Sequence, residues 1–535
     1  MQPAAGEAHV RTGFMSNSIV PRVSIIGLLT LLALFLARAP LTWLAAGLIA
    51  LGCVLAVLVR PALGLALLAF SVPFSTVGEI TLAGAAVGPS EALLALTLIA
   101  WLAQRLAAGC LTLPRPWHRT PAHPAPDPPA AVAPLLLPLL IVCASLAFSL
   151  LPATSLADAA PELLKWLETV ALYLVAIDLL TPIEHRAFTP HSFGVLLVGA
   201  LLLAGVLQAA LGLYQFITQS GPPAFQILGR FLRAYGTFRQ PNPYAGYLGL
   251  ILPLALSLLW WALAQGMAAW SRRTARSPHD HAARRSFVIA AALIAATLTA
   301  VALMTAGAAA SWSRGAWLGI GGGIAAVTAL RSRRAFGLTL AAAGLFGLLL
   351  LARGGFSGGA VGDRLAQVSE YLGGFDVAAV EVTDDNFAVV ERVAHWVAAQ
   401  RMIAQAPWQG VGVGNYAAAY AQVALPRWQD PLGHAHNIYL NTWAETGLPG
   451  LLAYLLLWLL AAWQAMRRAH DPQTSALGRA VALGVLGAIV HLSIHNLFDN
   501  LLVQRLYLHM ALLLALLALP PAAWRDPVTQ RKPQT

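Results

Sequence analysis

The sequence predicts an all-α, polytopic integral membrane protein of 12–14 transmembrane helices with one long helical outer loop. Three observations carry this. Of 535 residues, 58% are hydrophobic and only 10% charged, and the mean hydropathy is +0.69. The apolar residues fall in runs long enough to cross a hydrocarbon core of about 30 Å. The segments between those runs are short, polar and rich in arginine, as in membrane proteins and unlike soluble ones.

Taken in order, residues 1–22 form a polar tail with Arg11 and Arg22 ahead of the apolar run Val23–Ala37. That run resembles a signal peptide with Ala37-Arg38-Ala39 as its cleavage site, but the next span begins at once, so an uncleaved signal anchor is expected. Transmembrane helices occupy 23–352, interrupted by a proline-rich inner loop at 112–133 and an arginine-bearing outer loop at 218–243. A long outer loop covers 353–447, further helices cover 448–519, and 520–535 is a tail. With the N-terminus cytoplasmic, the inner segments hold 21 of the 33 Lys and Arg, which satisfies the positive-inside rule and turns the two named outer loops outward.

The net charge of +11 invites a nucleic-acid reading, but the basic residues are scattered between apolar runs and line no single face, so no nucleic acid is expected. Cys53, Cys110 and Cys143 lie in or beside apolar runs without C-x-x-C spacing and suggest neither a disulfide framework nor a zinc site.

Polar chemistry gathers in a few places. Arg230, Arg233 and Arg239 lie together in the outer loop 218–243, against the orientation rule, and suggest an anionic ligand at the membrane surface. Arg314, between Trp312 and Trp317 at the mouth of a span, is costly there unless paired or facing water; it could hold a diphosphate through its fork of donors, or snorkel as an anchor. Within the outer loop, Val389, Val393, Trp396, Val397 and Ile403 recur at helical spacing and predict an amphipathic helix between Asp385 and Pro407.

Beyond it, Gly410, Gly412 and Gly414 alternate without a βαβ unit around them, so tight turns are expected there and not a nucleotide loop. His436 is the best candidate proton carrier, with His434 competing. On a helix starting near His436, Asn437, Asn441 and Glu445 form one polar stripe that orients a sugar or faces water. Gly447-Leu448-Pro449-Gly450 then stops that helix and starts another. The pair Asp384-Asp385 reads as solvated surface, and His491 and His495, followed by Asn496, Asp499 and Asn500, as hydrogen-bonded residues at the outer end of a span or lining a cavity.

In combination, Gly236-Thr237-Phe238-Arg239-Gln240-Pro241-Asn242, Ser313-Arg314-Gly315-Ala316, Gly410-Val411-Gly412-Val413-Gly414-Asn415 and His436-Asn437 through Glu445 and Gly447 resemble the O-antigen ligase and O-antigen polymerase superfamily of bacterial membrane glycosyltransferases. The resemblance spans about residues 190–500; the first 190 match only in being hydrophobic.

It implies transfer of a glycan from a polyprenyl-diphosphate carrier to a hydroxyl on a lipid or glycan acceptor, at the outer face of the bacterial cytoplasmic membrane, without cofactor or metal. By the same resemblance His436 is the general base, while Arg239 and Arg314 hold the donor diphosphate. Arg392 and Glu445 bind acceptor or shape the outer loop, and His434, Asn437 and Asn441 are further candidates for the acceptor cavity. The rival class is a transporter or flippase of a lipid-linked glycan, which predicts repeated halves with broken helices at the midplane; no such repeat is visible.

Overall fold

The computed structural model describes residues 40–82, 85–108, 133–181, 191–227, 231–275, 280–352 and 386–524, with short pieces at 229, 362, 376–377 and 379–383. Outside the described residues lie the expected signal anchor, nearly all of the proline-rich loop, Arg230 and the Asp384-Asp385 pair. The chain divides into two units at Val59. In the first, helix α1 (Leu41–Val59) is apolar along its whole length, with no acidic residue in its first turn and no basic one in its last.

The second unit is helical, with two small hairpins. Its helices begin where local chemistry satisfies their free N–H groups. Pro89 opens α3 (Pro89–Ala107) after α2 (Pro61–Ser71) and the hairpin β1–β2 (Ile80–Leu82, Ala85–Val87), and Glu91 accepts from the Gly88 N–H at 3.0 Å. After α4 (Leu136–Phe148), Ser155 caps α5 (Leu156–Leu180). Helix α6 (His191–Thr218) and the hairpin β3–β4 (Gln226–Ile227, Phe231–Leu232) follow.

Pro241 opens α7 (Pro241–Thr274), and Asp280 caps α8 (His281–Ala310) through two N–H groups at 3.0 Å. Helices α9 (Arg314–Ala329) and α10 (Arg333–Ala352) precede the segment 353–447, which carries α11 (Phe387–Gln405) and α12 (Tyr416–Tyr420). Asn437 and Ser475 cap α13 (Ile438–His470) and α14 (Ala476–His495), and α15 (Leu506–Ala518) ends the bundle. The amphipathic helix expected between Asp385 and Pro407 is α11, with Val389 fully buried.

Among the described residues six helices are long and apolar enough to cross a membrane: α3, α6, α7, α8, α13 and α14. Four shorter apolar helices accompany them, at Leu44–Val59, Pro61–Phe74, Leu136–Phe148 and Leu506–Ala518. This is a multi-pass membrane protein. The count by length and composition is lower than the expected 12–14 because several expected spans are short and because α5 carries Glu162, Lys165 and Glu168.

The centre of the second unit is α7 against α14, the two spans with the largest buried share at 78% each. Small residues let these backbones and α9 approach closely. A Cβ on Gly487 would lie 2.6 Å from Pro253, and one on Gly323 only 2.7 Å from the Gly487 carbonyl. With little hydrophobic drive between helices in lipid, such contact area supplies the association.

The segment that carries α11 and α12 is fastened to the bundle by a backbone clasp. Gly410, Gly412, Gly414 and Gly447 all have φ between 68° and 105°. Val411 N–H donates to the Ala444 carbonyl and Gly412 N–H to that of Glu445, both at 2.9 Å, while Leu448 N–H donates to the Pro407 carbonyl. A Cβ on Gly410 would sit 2.3 Å from the Glu445 carbonyl carbon, and one on Gly447 2.1 Å from the Trp408 oxygen. The three alternating glycines are thus turns that permit a close crossing, as their spacing suggested. Gly447 also breaks α13, with ψ −176°, into the two helices expected there.

Candidate active site

The starts of α7, α9 and α13 and the end of α14 meet at one end of the bundle, and their terminal residues make the site. Arg233 reaches in from the loop directly after β4. Its Nε donates to the Ser311 carbonyl and its Nη2 to Asn242 Oδ1, both at 2.7 Å. Asn242, in the first turn of α7, donates in turn to Asp499 Oδ2 at 3.0 Å. The other Asp499 oxygen lies 3.6 Å from His436 Nδ1, an ion-pair distance longer than a hydrogen bond. An arginine, an amide, a carboxylate and an imidazole from four parts of the chain therefore form one connected row.

His436 precedes α13 in a left-handed backbone conformation, φ 50°, which the helix cap of Asn437 follows directly. Its two ring nitrogens are covered, and neither has a hydrogen-bond partner. His434 packs edge-on against it at 4.3 Å between ring centres, and His395, from α11, at 5.8 Å. His395 is itself buried, stacked on Tyr420, and shares hydrogen bonds with Tyr416. Burial alone would raise the Asp499 carboxyl, but the charges of His436, His434 and Arg392 outweigh it and hold Asp499 well below the usual carboxylate range. Asp499 is thus held as an anion beside the His436 ring.

Beside this row opens a cavity open to solvent. Arg233, Arg314 and Arg392 line it with Asn242, His495 and Asp499, so three guanidinium groups face a single carboxylate. Arg314 is buried, at 8% exposure, as the first residue of α9, whose N-cap Ser313 makes no side-chain cap. The N-terminal end of that helix adds to the positive field. A cavity of this kind suits an anion with several oxygens.

A second, larger cavity lies against α13. Glu162, Lys165, Asn441 and Glu445 line one part of it, and Leu139, Leu457, Trp458 and Leu514 another.

Several expected residues take other parts. Arg239 is not among the residues lining the cationic cavity; it is 67% exposed and pairs with Glu79, which Arg505 also engages. Burial alone would raise the Glu79 carboxyl, but Arg505 and Arg239 outweigh it and hold it low.

The stripe Asn437, Asn441 and Glu445 is tied to protein backbone, while Asn441 and Glu445 also line the larger cavity. Asn437 accepts from Tyr439 and Leu440 N–H, Asn441 from Ala435 N–H, and Glu445 from Tyr416 N–H. Arg392 does reach the cationic cavity, with one Nη also donating to the Ala388 carbonyl. His395 and Asp499 were not expected in the site; Asp499 lay in the polar cluster after His495 that the sequence placed at the end of a span.

Among the described residues one group could hold a metal ion: His434, His436 and Asp499, with ligand atoms within 4.8 Å of one another. His434 Nδ1, however, accepts the His436 N–H at 3.0 Å, so its other nitrogen carries the proton and its lone pair is already used. As it stands, the donor set offers a metal two ligands.

Residues 299–455, which contain Arg314, Arg392, His434, His436 and Glu445, match the family model of O-antigen ligase. Over that stretch, somewhat under a third of its length, the chain is similar to O-antigen ligases. Arg233, Asn242, His495 and Asp499 lie outside the matched stretch, so that stretch and its flanks build the site jointly. No curated protein matches the chain.

The His434 environment makes a pH prediction. Burial, then the charge of His436, lowers His434 to about 4, against about 6.5 for a free imidazole. Between those values the unfolded chain binds a proton that the folded one refuses. The contribution of this site to stability is therefore complete above pH 6.5 and is lost as pH falls toward 4. In His434→Asn, whose side-chain oxygen can still accept the His436 N–H, the melting temperature is expected to fall less between pH 7 and pH 4.5 than in the wild type. The difference is worth on the order of 1 kcal/mol once partial exposure of the ring is discounted; equal slopes by differential scanning fluorimetry would remove His434 as its source.

Proposed function

We propose that this protein transfers a glycan from a polyprenyl-diphosphate carrier to a hydroxyl on a membrane-embedded acceptor, at the outer face of the bacterial cytoplasmic membrane. The observation that carries the reading is the adjacency of a carboxylate-backed imidazole, His436 with Asp499, to a cavity lined by Arg233, Arg314 and Arg392.

In the proposed step His436 Nε2 takes the acceptor's hydroxyl proton while Asp499 steadies the ring through the Nδ1 side. The freed oxygen forms a bond to the anomeric carbon as the bond from that carbon to the diphosphate oxygen breaks. The departing electron pair leaves on the diphosphate, where the guanidinium groups offset the growing charge. Arg239, exposed and paired with Glu79, acts at the rim, where it meets the donor's headgroup before the cavity does.

The larger cavity, polar at one part and apolar at another, suits an amphipathic acceptor, a lipid or a lipid-linked glycan. No metal or other cofactor takes part, a reading supported by the engaged lone pair of His434.

The test is transfer by purified protein in nanodiscs, with a polyprenyl-diphosphate-linked oligosaccharide as donor and candidate acceptors added one at a time, products being resolved by mass. A ladder of repeat units identifies polymerisation and a single addition identifies ligation. Rates in EDTA are expected to equal those without it. Movement of the intact glycolipid across a vesicle bilayer with no transfer to any acceptor would replace this reading with the transporter one.

A further inference from the structure

Asn242 holds a place in the connected row that neither an apolar nor a charged side chain can fill. It is the second residue of α7, between Pro241 and Pro243, both buried. Prolines in the first turn of a helix cost no hydrogen bond, since the N–H groups there have no partner within the helix, and each fixes its own φ. The Pro-Asn-Pro start therefore presents the amide from a stiff backbone at the wall of the cationic cavity. What stands on either side sets the orientation of the amide. A guanidinium only donates, so the atom 2.7 Å from Arg233 Nη2 is its oxygen. An ionised carboxylate only accepts, so the atom 3.0 Å from Asp499 Oδ2 is its nitrogen.

The amide thus stands between a cation and an anion and bonds to both. Asp499 shares the cavity wall with Arg233, Arg314 and Arg392, and a carboxylate among guanidinium groups is drawn to their paired donors. Two neighbours hold it: Asn500 N–H donates to Oδ1 at 2.9 Å, the oxygen 3.6 Å from His436 Nδ1, and Asn242 takes Oδ2. We infer that Asn242 is a positioning residue of the transfer reaction, an amide spacer that keeps the Arg233 guanidinium and the Asp499 carboxylate from closing on each other. The carboxylate then stays beside His436, and the guanidinium keeps its charge for the diphosphate. This rests on the reading that the cavity takes that diphosphate. Without the amide the two charges face each other across the gap it filled. A direct pair there neutralises one of the three cations of the cavity and turns the carboxylate from the imidazole.

The experiment titrates farnesyl diphosphate, a short isoprenyl diphosphate without glycan, calorimetrically into the full-length protein in detergent, melting temperature being followed for each variant. Asn242→Ala removes the spacer, and Asn242→Ala combined with Asp499→Asn also removes the anion that would close on Arg233. Affinity is expected to drop about ten-fold in Asn242→Ala, the effect of losing one hydrogen-bonding partner that carries charge. In the double variant it is expected to return to within about three-fold of that of Asp499→Asn alone. A side chain that merely packs the first turn of α7 would lower affinity equally in both backgrounds.

Wild-type affinity in Asn242→Ala at an unchanged melting temperature would overturn the proposal, as would a loss of the same size in the Asp499→Asn background. Should Asn242→Ala fail to fold, Asn242→Ser is compared in the same two backgrounds and decides alone; its hydroxyl suits the first turn of a helix but is too short to bridge the two charges. Failure of the wild type itself to bind farnesyl diphosphate would instead remove the reading of the cavity on which the proposal stands.

Discussion

His436→Asn protein, folded and inserted, is expected to lose glycan transfer by about 100- to 10,000-fold, the range over which a positioned general base contributes. Asparagine is the informative substitution because residue 436 has φ 50°, a conformation that asparagine tolerates better than alanine does. His436→Ala adds backbone strain to the loss of the base, so its melting temperature is expected to fall below that of His436→Asn while the activities match.

The loss is expected in turnover more than in affinity for the donor, since the ring meets the acceptor's hydroxyl and not the diphosphate. Retention of wild-type turnover by either folded variant would remove His436 from the chemistry. In Asp499→Asn, which keeps the hydrogen bond from Asn242 but lacks the charge behind the ring, the same assay places the carboxylate in the step.

Arg314→Ala is expected to lower transfer by about 100- to 1,000-fold, the effect of deleting one preorganised donor to a developing anion. Arg314 is buried as the first residue of α9 and lines the cavity with Arg233 and Arg392. Arg314→Lys separates charge from geometry. It restores the positive charge but not the planar fork, so donor affinity is expected to return more fully than turnover does. If lysine recovers both, the residue supplies charge alone. If alanine changes neither while the protein melts normally, Arg314 anchors the helix end at the membrane surface, the other reading its sequence position allowed. Arg239→Ala is the contrasting control: an exposed arginine paired outside the cavity is expected to alter donor affinity modestly and turnover little.

The fold was legible where the membrane dictates it. Apolar runs had to be helices because lipid leaves backbone groups no other partners, and the break at Gly447 could be read from a glycine and a proline placed to stop and restart a helix. The site was legible in its two poles, Arg314 and His436, because an arginine at the mouth of a span and a histidine in a polar block are costly without a purpose.

What joins the poles was not legible. Asp499 reaches His436 across the turn after α14, and Asn242 ties that carboxylate to Arg233 from another helix, pairings that no local period encodes. The stripe of Asn437, Asn441 and Glu445 was legible only in part: Asn441 and Glu445 do line the larger cavity. Helical spacing places polar residues on one face, but it does not say that the face is covered by the N–H groups of residues 416, 435, 439 and 440.

The clasp around Gly410 and Gly447 constrains how such proteins can be recombined. Hydropathy suggests exchanging residues 353–447 between homologues to transplant acceptor preference, with the splice at Gly447. That splice keeps the glycine turns with Ala444 and Glu445 but parts the Leu448 N–H from the Pro407 carbonyl and joins α13 at its break, so a donor loop would arrive shaped for a different second half of that helix. Segments exchanged as one block from the start of α11 through the end of α13 carry that bond and the whole of the broken helix together. Hybrids joined at those outer points are the ones expected to express, insert and report on specificity.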